Sequence, residues 1–367
     1  IFLCELYISL VMKRIVIEAY SLDTPYVGVG EFCNKLFSGI VKKSSWLREN
    51  YGIELYFIVS PHNNGCLGND VKYISVNKKK RWILLFYPFS ISLFYAPHQY
   101  CKCLKYIRAK KKLMTVHDVN FFYEKTGSNL EREIFHFKKK VNKVDYINYI
   151  SNFSQEDTEN HFHTNKSCGV IYNGVTNLSD KVIEQQSFDI DLPKSFMFHI
   201  SSLLPKKNVH LLIEMMDYLP ERNLLIVGDW NHPYGEENIQ KIRNSKYNNI
   251  YILSNITEDQ KAYLYSKCEA FLFPSLCEGF GLPPIEAMSF GKPVFLSRLT
   301  SLPEIGGDVA FYWDELEPQK MAKIVQEKMI LFNSDSNYSY RIKGNSKKFN
   351  WDDCVRGYLD LFIKYAK

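Results

Sequence analysis

The chain has 367 residues, with 46 Lys and Arg against 40 Asp and Glu, for a formal charge of +6. Its 46% hydrophobic and 23% charged content is core-forming and excludes disordered and collagen-like classes, and the length suits two or three domains. The charge is uneven: residues 101–143 hold twelve Lys and Arg and four Asp and Glu, a local +8, so the remainder lies near −2. A nucleic-acid binder spreads basic residues over a whole face. A narrow block fits a local anionic partner such as a phosphate or a membrane surface.

Residues 1–11 (IFLCELYISLV) are apolar but contain Glu5. They fall short of the roughly 20 residues needed to span a bilayer, and no basic segment precedes them as in a signal peptide. They read as an upstream or disordered extension before a start at Met12. Strands are expected at Ile15–Ala19, Leu55–Ser60, Ser92–Ala96, Leu113–His117, Tyr146–Ser151 and Val170–Asn173. A helix beginning near Glu31 carries Phe32, Leu36 and Ile40 at helical spacing.

Residues 176–195 are polar, lack a period and read as a linker, after which the alternation restarts. Strands are expected at Phe196–Ile200, Leu224–Val227, Tyr251–Leu253, Ala270–Phe273 and Pro293–Leu296. Helices are expected at Val209–Tyr218, Thr257–Ser266, Pro284–Phe290, Pro318–Phe332 and Trp351–Tyr365. Alternating strands and helices imply parallel sheets with right-handed crossovers. The class is therefore α/β, with two Rossmann-like domains at 12–175 and 196–345. A C-terminal segment, 346–367, packs back toward the first domain. Ligands in such sheets sit at the carboxyl ends of the strands, so the cleft between two facing halves is the expected site.

The nine cysteines (4, 33, 66, 101, 103, 168, 268, 277 and 354) are odd in number and form no C-x-x-C pair. Neither a disulfide framework nor a zinc knuckle is expected, and reduced thiols suit a cytoplasmic setting. Cys101 and Cys103, the one close pair, read as two ordinary thiols, and no metal site is expected.

The most informative stretch is PSLCEGFGLPPIEAMSFGKPV, 274–294. A buried strand runs into a turn carrying Gly279 and Gly281, and Pro283-Pro284 suit the first turn of a helix. Glycines before a helix N-terminus leave amides open to an anion, which the helix dipole favours. Glu278 and Glu286 bracket that turn, and carboxylates accept hydrogen bonds from sugar or ribose hydroxyls. By itself a G-F-G turn between two acids is as readily a tight turn.

The full string E-G-F-G-L-P-P-I-E-A-M resembles the E-x7-E signature of retaining glycosyltransferases of family 4, whose GT-B fold has two facing Rossmann-like domains. The likeness runs along the chain from Met12 through PYVGVG (25–30), TVHD (115–118), SNFS (151–154), IYNGV (171–175), LPKKN (204–208) and TSLPEIG (300–306). It implies that Glu286 holds the nucleotide ribose and that Glu278 lies beside the donor-sugar hydroxyls. The amides of Gly279, Phe280, Gly281 and Leu282 would meet sugar and diphosphate. Lys207 would be the phosphate lysine, with Lys206 where many members carry Arg.

His117, in TVHD, would act with Glu278 and Lys207 in catalysis, although a lone His is more often structural. Asp118, Gly28 and Gly30 would lie near the donor, Thr257 near its base, and His98 and Tyr26 near the acceptor. One departure stands out: Ser201-Ser202 replaces the glycine usual before the phosphate loop, leaving Lys206 to supply a second positive charge.

The resemblance implies front-face substitution with retention, a nucleoside-diphosphate sugar as donor (GDP-mannose favoured) and no required cofactor. The acceptor would be a glycan or lipid-linked intermediate of bacterial surface polysaccharide, such as lipopolysaccharide or capsule. Lys110–Lys112 and Lys138–Lys140 would hold the enzyme on the inner face of the cytoplasmic membrane, as a peripheral cytoplasmic protein with no nucleic-acid partner. Two alternatives stay open: a glycoside hydrolase using Glu278 and Glu286 as its carboxylate pair, and a non-catalytic nucleotide-sugar-binding scaffold.

Overall fold

The structure, a computed structural model, describes residues 12–24, 28–180 and 183–367. The chain forms two compact units. One takes residues up to Gly174 together with Trp351–Lys367, and the other takes Val175–Asn350.

The first unit holds a seven-stranded parallel sheet. Its strands are β1 (Lys13–Glu18), β2 (Ile53–Val59), β3 (Lys72–Ser75), β4 (Ile91–Ala96), β5 (Ala109–Val116), β6 (Tyr146–Tyr149) and β7 (Ser167–Val170), in the order β3-β2-β1-β4-β5-β6-β7. Central strands are apolar on both faces, as sheets covered by helices require. In β1, Ile15 and Ile17 enter one core and Val16 enters the other. Two edge strands depart from expectation. β3 was not foreseen, and β7 lies three residues before the expected Val170–Asn173. Of KYIS only Ile74 is buried, and SCGV is at most half-buried, so neither carries an apolar pattern to read.

The helix Trp351–Tyr365 closes the first unit. Its Val355, Tyr358, Leu359 and Phe362 share a core with Ile15, Phe32 and Phe37. Close approach to the helix Val29–Val41 depends on Gly39, where an added Cβ would lie 2.4 Å from a Val355 methyl. Tyr358 anchors the contact, its hydroxyl 2.9 Å from both Thr115 Oγ1 and Asn148 Nδ2.

The second unit holds a six-stranded parallel sheet: β8 (Met197–Ile200), β9 (Leu224–Val227), β10 (Ile250–Leu253), β11 (Ala270–Phe273), β12 (Val294–Ser297) and β13 (Phe311–Trp313), ordered β10-β9-β8-β11-β12-β13. The edge strand β13, three residues long, was not foreseen. The segment read as a linker packs on this unit: Gln260 Nε2 donates to Ser187 O at 2.8 Å and Phe188 lies against Tyr263. The unit extends to Asn350 rather than 345, because the helix Tyr338–Ser346 is docked through Asn345, which donates to Ile305 O at 2.9 Å.

Candidate functional site

In the second sheet the chain order reverses between β8 and β11, the place where open α/β sheets bind ligands. Two loops leave the carboxyl ends of these strands and dock on each other. The turn Pro205–Lys207 follows β8, and the segment 274–281 follows β11. Leu276 N donates to Lys206 O at 2.7 Å, and Asn208 Nδ2 to Pro274 O at 3.1 Å. Asn208 takes a positive φ of 53° between turn and helix, a conformation Asn tolerates better than most residues.

Lys207 and Glu278 form an ion pair in which both side chains are largely buried, and the Lys207 ammonium lies 5.2 Å above the Phe273 ring. Glu278 is fixed through its backbone. Its N–H donates to Thr300 Oγ1 at 3.0 Å, and its carbonyl accepts from Ser301 Oγ at 3.0 Å. The same Ser301 hydroxyl reaches Phe280 O at 2.6 Å.

Gly281 starts the helix Leu282–Ser289 at φ 117°, with no side chain capping it. Only glycine takes that φ freely. Pro283 and Pro284 remove two of the first-turn donors, so the amides of Phe280, Gly281 and Leu282 dominate this end. Four positions into the helix, Glu286 is 9% exposed. Its Oε1 accepts from Lys261 Nζ at 3.0 Å and its Oε2 from Tyr265 Oη at 2.9 Å. Burial pulls the Lys261 ammonium down, but Glu286 and Glu258 outweigh it and hold the group above its ordinary value.

Ser201 turns its hydroxyl back to the strand, 2.8 Å from His199 Nε2, while His199 Nδ1 faces Leu272 O at 2.8 Å. Burial pushes the His199 imidazole down to about 4, so it is neutral at pH 7. Thr257 is the N-cap of the helix Glu258–Lys267, which supplies Lys261 and Tyr265 to Glu286. Its hydroxyl and its amide are both engaged by Gln260 in a capping box.

In the first unit His117 follows β5 and is 7% exposed. Its Nε2 lies 3.0 Å from Pro97 O, its amide donates to Gln99 Oε1 at 3.1 Å, and its ring meets Phe32 edge-on. Burial pushes this imidazole, too, down to about 4. Asp118 Oδ1 accepts from Asn120 N at 3.1 Å, and Asp118 O accepts from Gln99 Nε2 at 3.0 Å. Gly28 precedes the helix Val29–Val41 at φ 46°, with nothing within 4 Å of an added Cβ. Gly30 has a different reason: its Cβ would fall 1.8 Å from Thr24 O, so internal packing requires glycine there. His98 Nε2 approaches Glu18 Oε2 at 3.4 Å. Tyr26 lies outside the described residues.

Residues 180–349 match the family described as Glycosyl transferases group 1. This match takes in almost all of the second unit. Among curated relatives, the serotype-specific mannosyltransferase WbdA of Escherichia coli is 29% identical over 184 residues, 47% of this chain. The chain spans only 22% of that protein's length. The O-antigen chain mannosyltransferase RfbU of Salmonella typhimurium is 25% identical over 65% of this chain and 67% of its own. Among solved structures, the sucrose-phosphate synthase of Thermosynechococcus elongatus matches with a TM-score of 0.72 at 16% identity, over 96% of this chain and 98% of its own. Anabaena HepE, in complex with UDP and glucose, matches at 0.69 and 18% identity over 95% and 99%. The fold is of the GT-B type.

In this chain the acids, glycines and paired lysines of the candidate site were readable from one continuous string and one short loop. The partners that orient them were not. Lys261, Tyr265, Thr300 and Ser301 come from other elements, and no spacing ties them to Glu278 or Glu286. Gln99, 2% exposed and bonded to both His117 and Asp118, carried no signal beyond its place after β4.

Proposed function

We propose that the chain transfers a sugar, with retention, from a nucleoside-diphosphate sugar to a glycan or lipid-linked acceptor of surface polysaccharide, with GDP-mannose the favoured donor. The observation that carries this reading is the convergence, at the reversal point of the second sheet, of the Lys207–Glu278 pair, the Gly281 helix start and Glu286. Lys207, Lys206 and the amides of Gly279, Phe280, Gly281 and Leu282 neutralise the diphosphate. Glu286, held by Lys261 and Tyr265, accepts the ribose hydroxyls, and Glu278 accepts hydroxyls of the sugar.

In the transfer the bond from the anomeric carbon to the β-phosphate oxygen breaks. The bond to the acceptor oxygen forms on the same face, and the acceptor proton passes to the leaving phosphate. Within the first unit, His117, neutral at pH 7, Asp118 and Gly28 are the residues proposed for the donor, and His98 for the acceptor. Lysines and amides placed where charge develops stabilise the leaving group electrostatically.

The names of the mannosyltransferase relatives favour mannose, while the HepE complex holds UDP; the base is decided by experiment. A hydrolase reading is disfavoured by the pairing of each carboxylate with its own lysine, since a general acid must hold its proton near neutrality.

Among the described residues no helix is long and apolar enough to cross a membrane. Membrane contact on the inner, cytoplasmic face is carried best by Lys138 and Lys139, exposed beside Phe135 at 61% exposure on the helix Gly127–Val141. Lys111 is paired with Asp145, Lys112 points at Leu104 O and Lys140 at Gln99 O, so these contribute less than the sequence implied. Calorimetry with GDP, UDP and ADP tests the donor assignment. GDP should bind, and Glu286→Gln should weaken it at least tenfold. Failure of all three nucleotides to bind would overturn the reading.

A further inference from the structure

The strand order of the first sheet reverses between β1 and β4, and side chains of metal-binding chemistry meet at the carboxyl ends of these two strands. Glu18 is the last residue of β1, Cys101 lies on the loop after β4, and Cys103 opens the short turn Cys103–Lys105. A Glu18 carboxylate oxygen and the two Sγ atoms all lie within 4.8 Å of one another, and all three residues are buried. Glu18 is only 3% exposed, and its Oε2 makes no hydrogen bond of good geometry, His98 Nε2 standing off at 3.4 Å. A buried carboxylate so weakly satisfied is costly, and a cation would relieve that cost. His98 stands over the same oxygen, with Nε2 at 3.4 Å. Its Nδ1 accepts from the Tyr100 amide at 3.1 Å, which leaves the proton of the neutral ring on Nε2, facing Glu18.

We propose that Glu18, Cys101 and Cys103 bind one zinc ion, with His98 orienting the Glu18 carboxylate. Thiolates select soft or borderline cations, and two sulfurs with one carboxylate suit Zn2+ rather than Mg2+ or Ca2+. Zn–S bonds of about 2.3 Å in a tetrahedron place two sulfurs about 3.8 Å apart, a spacing side-chain rotation reaches from the present cluster. On binding, two thiol protons pass to solvent and a water takes the fourth position. Two thiolates, one carboxylate and the dication leave a net charge of −1. That charge is met by the basic wall of a pocket of about 450 Å3 that includes Cys101 and is lined by Arg81, Lys102, Lys105, Lys139, Lys140 and Lys143. The ion ties the end of β1 to the loop whose Pro97 carbonyl and Gln99 side chain hold His117. This reading does not depend on which nucleotide sugar the second unit binds.

The test uses the full chain, purified under reducing conditions, stripped with chelator and titrated with Co2+ and then Zn2+. One equivalent of Co2+ should give an intense thiolate-to-metal charge-transfer band and tetrahedral visible bands, both displaced by Zn2+. The double variant Cys101→Ser/Cys103→Ser should lose the band while its far-UV circular dichroism stays that of the parent. His98→Ala should weaken Zn2+ binding 10–100-fold at unchanged stoichiometry, as loss of an outer hydrogen-bonding partner does. The proposal is overturned if reduced, folded wild-type protein shows no charge-transfer band, or if the double serine variant binds Zn2+ equally well.

Discussion

Replacing Lys261 with Met removes the positive charge facing Glu286 while keeping most of the aliphatic bulk. The two side chains are 12% and 11% exposed and meet at 3.0 Å, so the change leaves a largely buried carboxylate that keeps its Tyr265 hydrogen bond but loses the facing ammonium. Breaking a buried pair from one side costs about 3–5 kcal/mol. The retained Tyr265 hydrogen bond and the slight exposure of Glu286 place this case near about 3 kcal/mol. The converse change, Glu286→Gln, is milder, because Lys261 keeps Glu258 at 3.0 Å and Glu258 is well exposed. A cost of about 1–2 kcal/mol is expected from the loss of a charge-assisted hydrogen bond. The double variant should cost less than the sum of the singles, with a coupling of about 2 kcal/mol. Urea unfolding of all four proteins, followed by tryptophan fluorescence, supplies the cycle. Calorimetry with GDP on the same set should show Lys261→Met weakening binding, because the carboxylate proposed to hold the ribose loses its orientation. A Lys261→Met cost below about 1 kcal/mol with no coupling would refute the view that this lysine holds Glu286.

Stability should depend on pH through His117 and His199. Burial puts each folded value at about 4, below the unfolded value of about 6.5, so the unfolded chain takes up the proton first. Stability is therefore intact above about pH 7 and lost as the pH falls from 6.5 to 4, by up to about 3 kcal/mol for each histidine. Melting temperatures across that range check it, and a flat profile from pH 7 to 5 would count against it. Tyr358→Phe removes the hydroxyl that ties the last helix to Thr115 and Asn148. It should cost about 1–3 kcal/mol in urea unfolding through the buried groups left short of a partner, and an unchanged midpoint would show that this network contributes nothing.

Much of the site was legible because its chemistry is local. Glu278, Gly279, Gly281 and Glu286 sit in one string, where strand end, turn and helix start follow from residue type alone. Lys206 and Lys207 fall in a loop whose Pro and Asn announce a turn. The partners that give these groups their electrostatics come from other elements: Lys261 and Tyr265 from the helix before β11, and Thr300 and Ser301 from the loop after β12. Gly30 carries the opposite lesson. In a glycine-rich loop it reads as making room for a ligand, whereas the packed chain puts the Thr24 carbonyl where its Cβ would be.

The sequence by itself determined the α/β class and the central strands, because fully buried parallel strands must be apolar on both faces. It also determined the turn at Gly279–Gly281, which needs only glycines, prolines and a helix start in succession. Tertiary structure alone decided the edge strands β3, β7 and β13, which bury too little to leave a pattern. It decided the contacts by which Trp351–Tyr365 docks on the first unit, Val355 against Gly39 and Tyr358 on Thr115 and Asn148. It also gathered Glu18 with Cys101 and Cys103, which lie more than eighty residues apart in the chain. The reason is physical: adjacency across a parallel sheet is set by strand order, and strand order follows from which faces the helices cover, not from any one segment's composition.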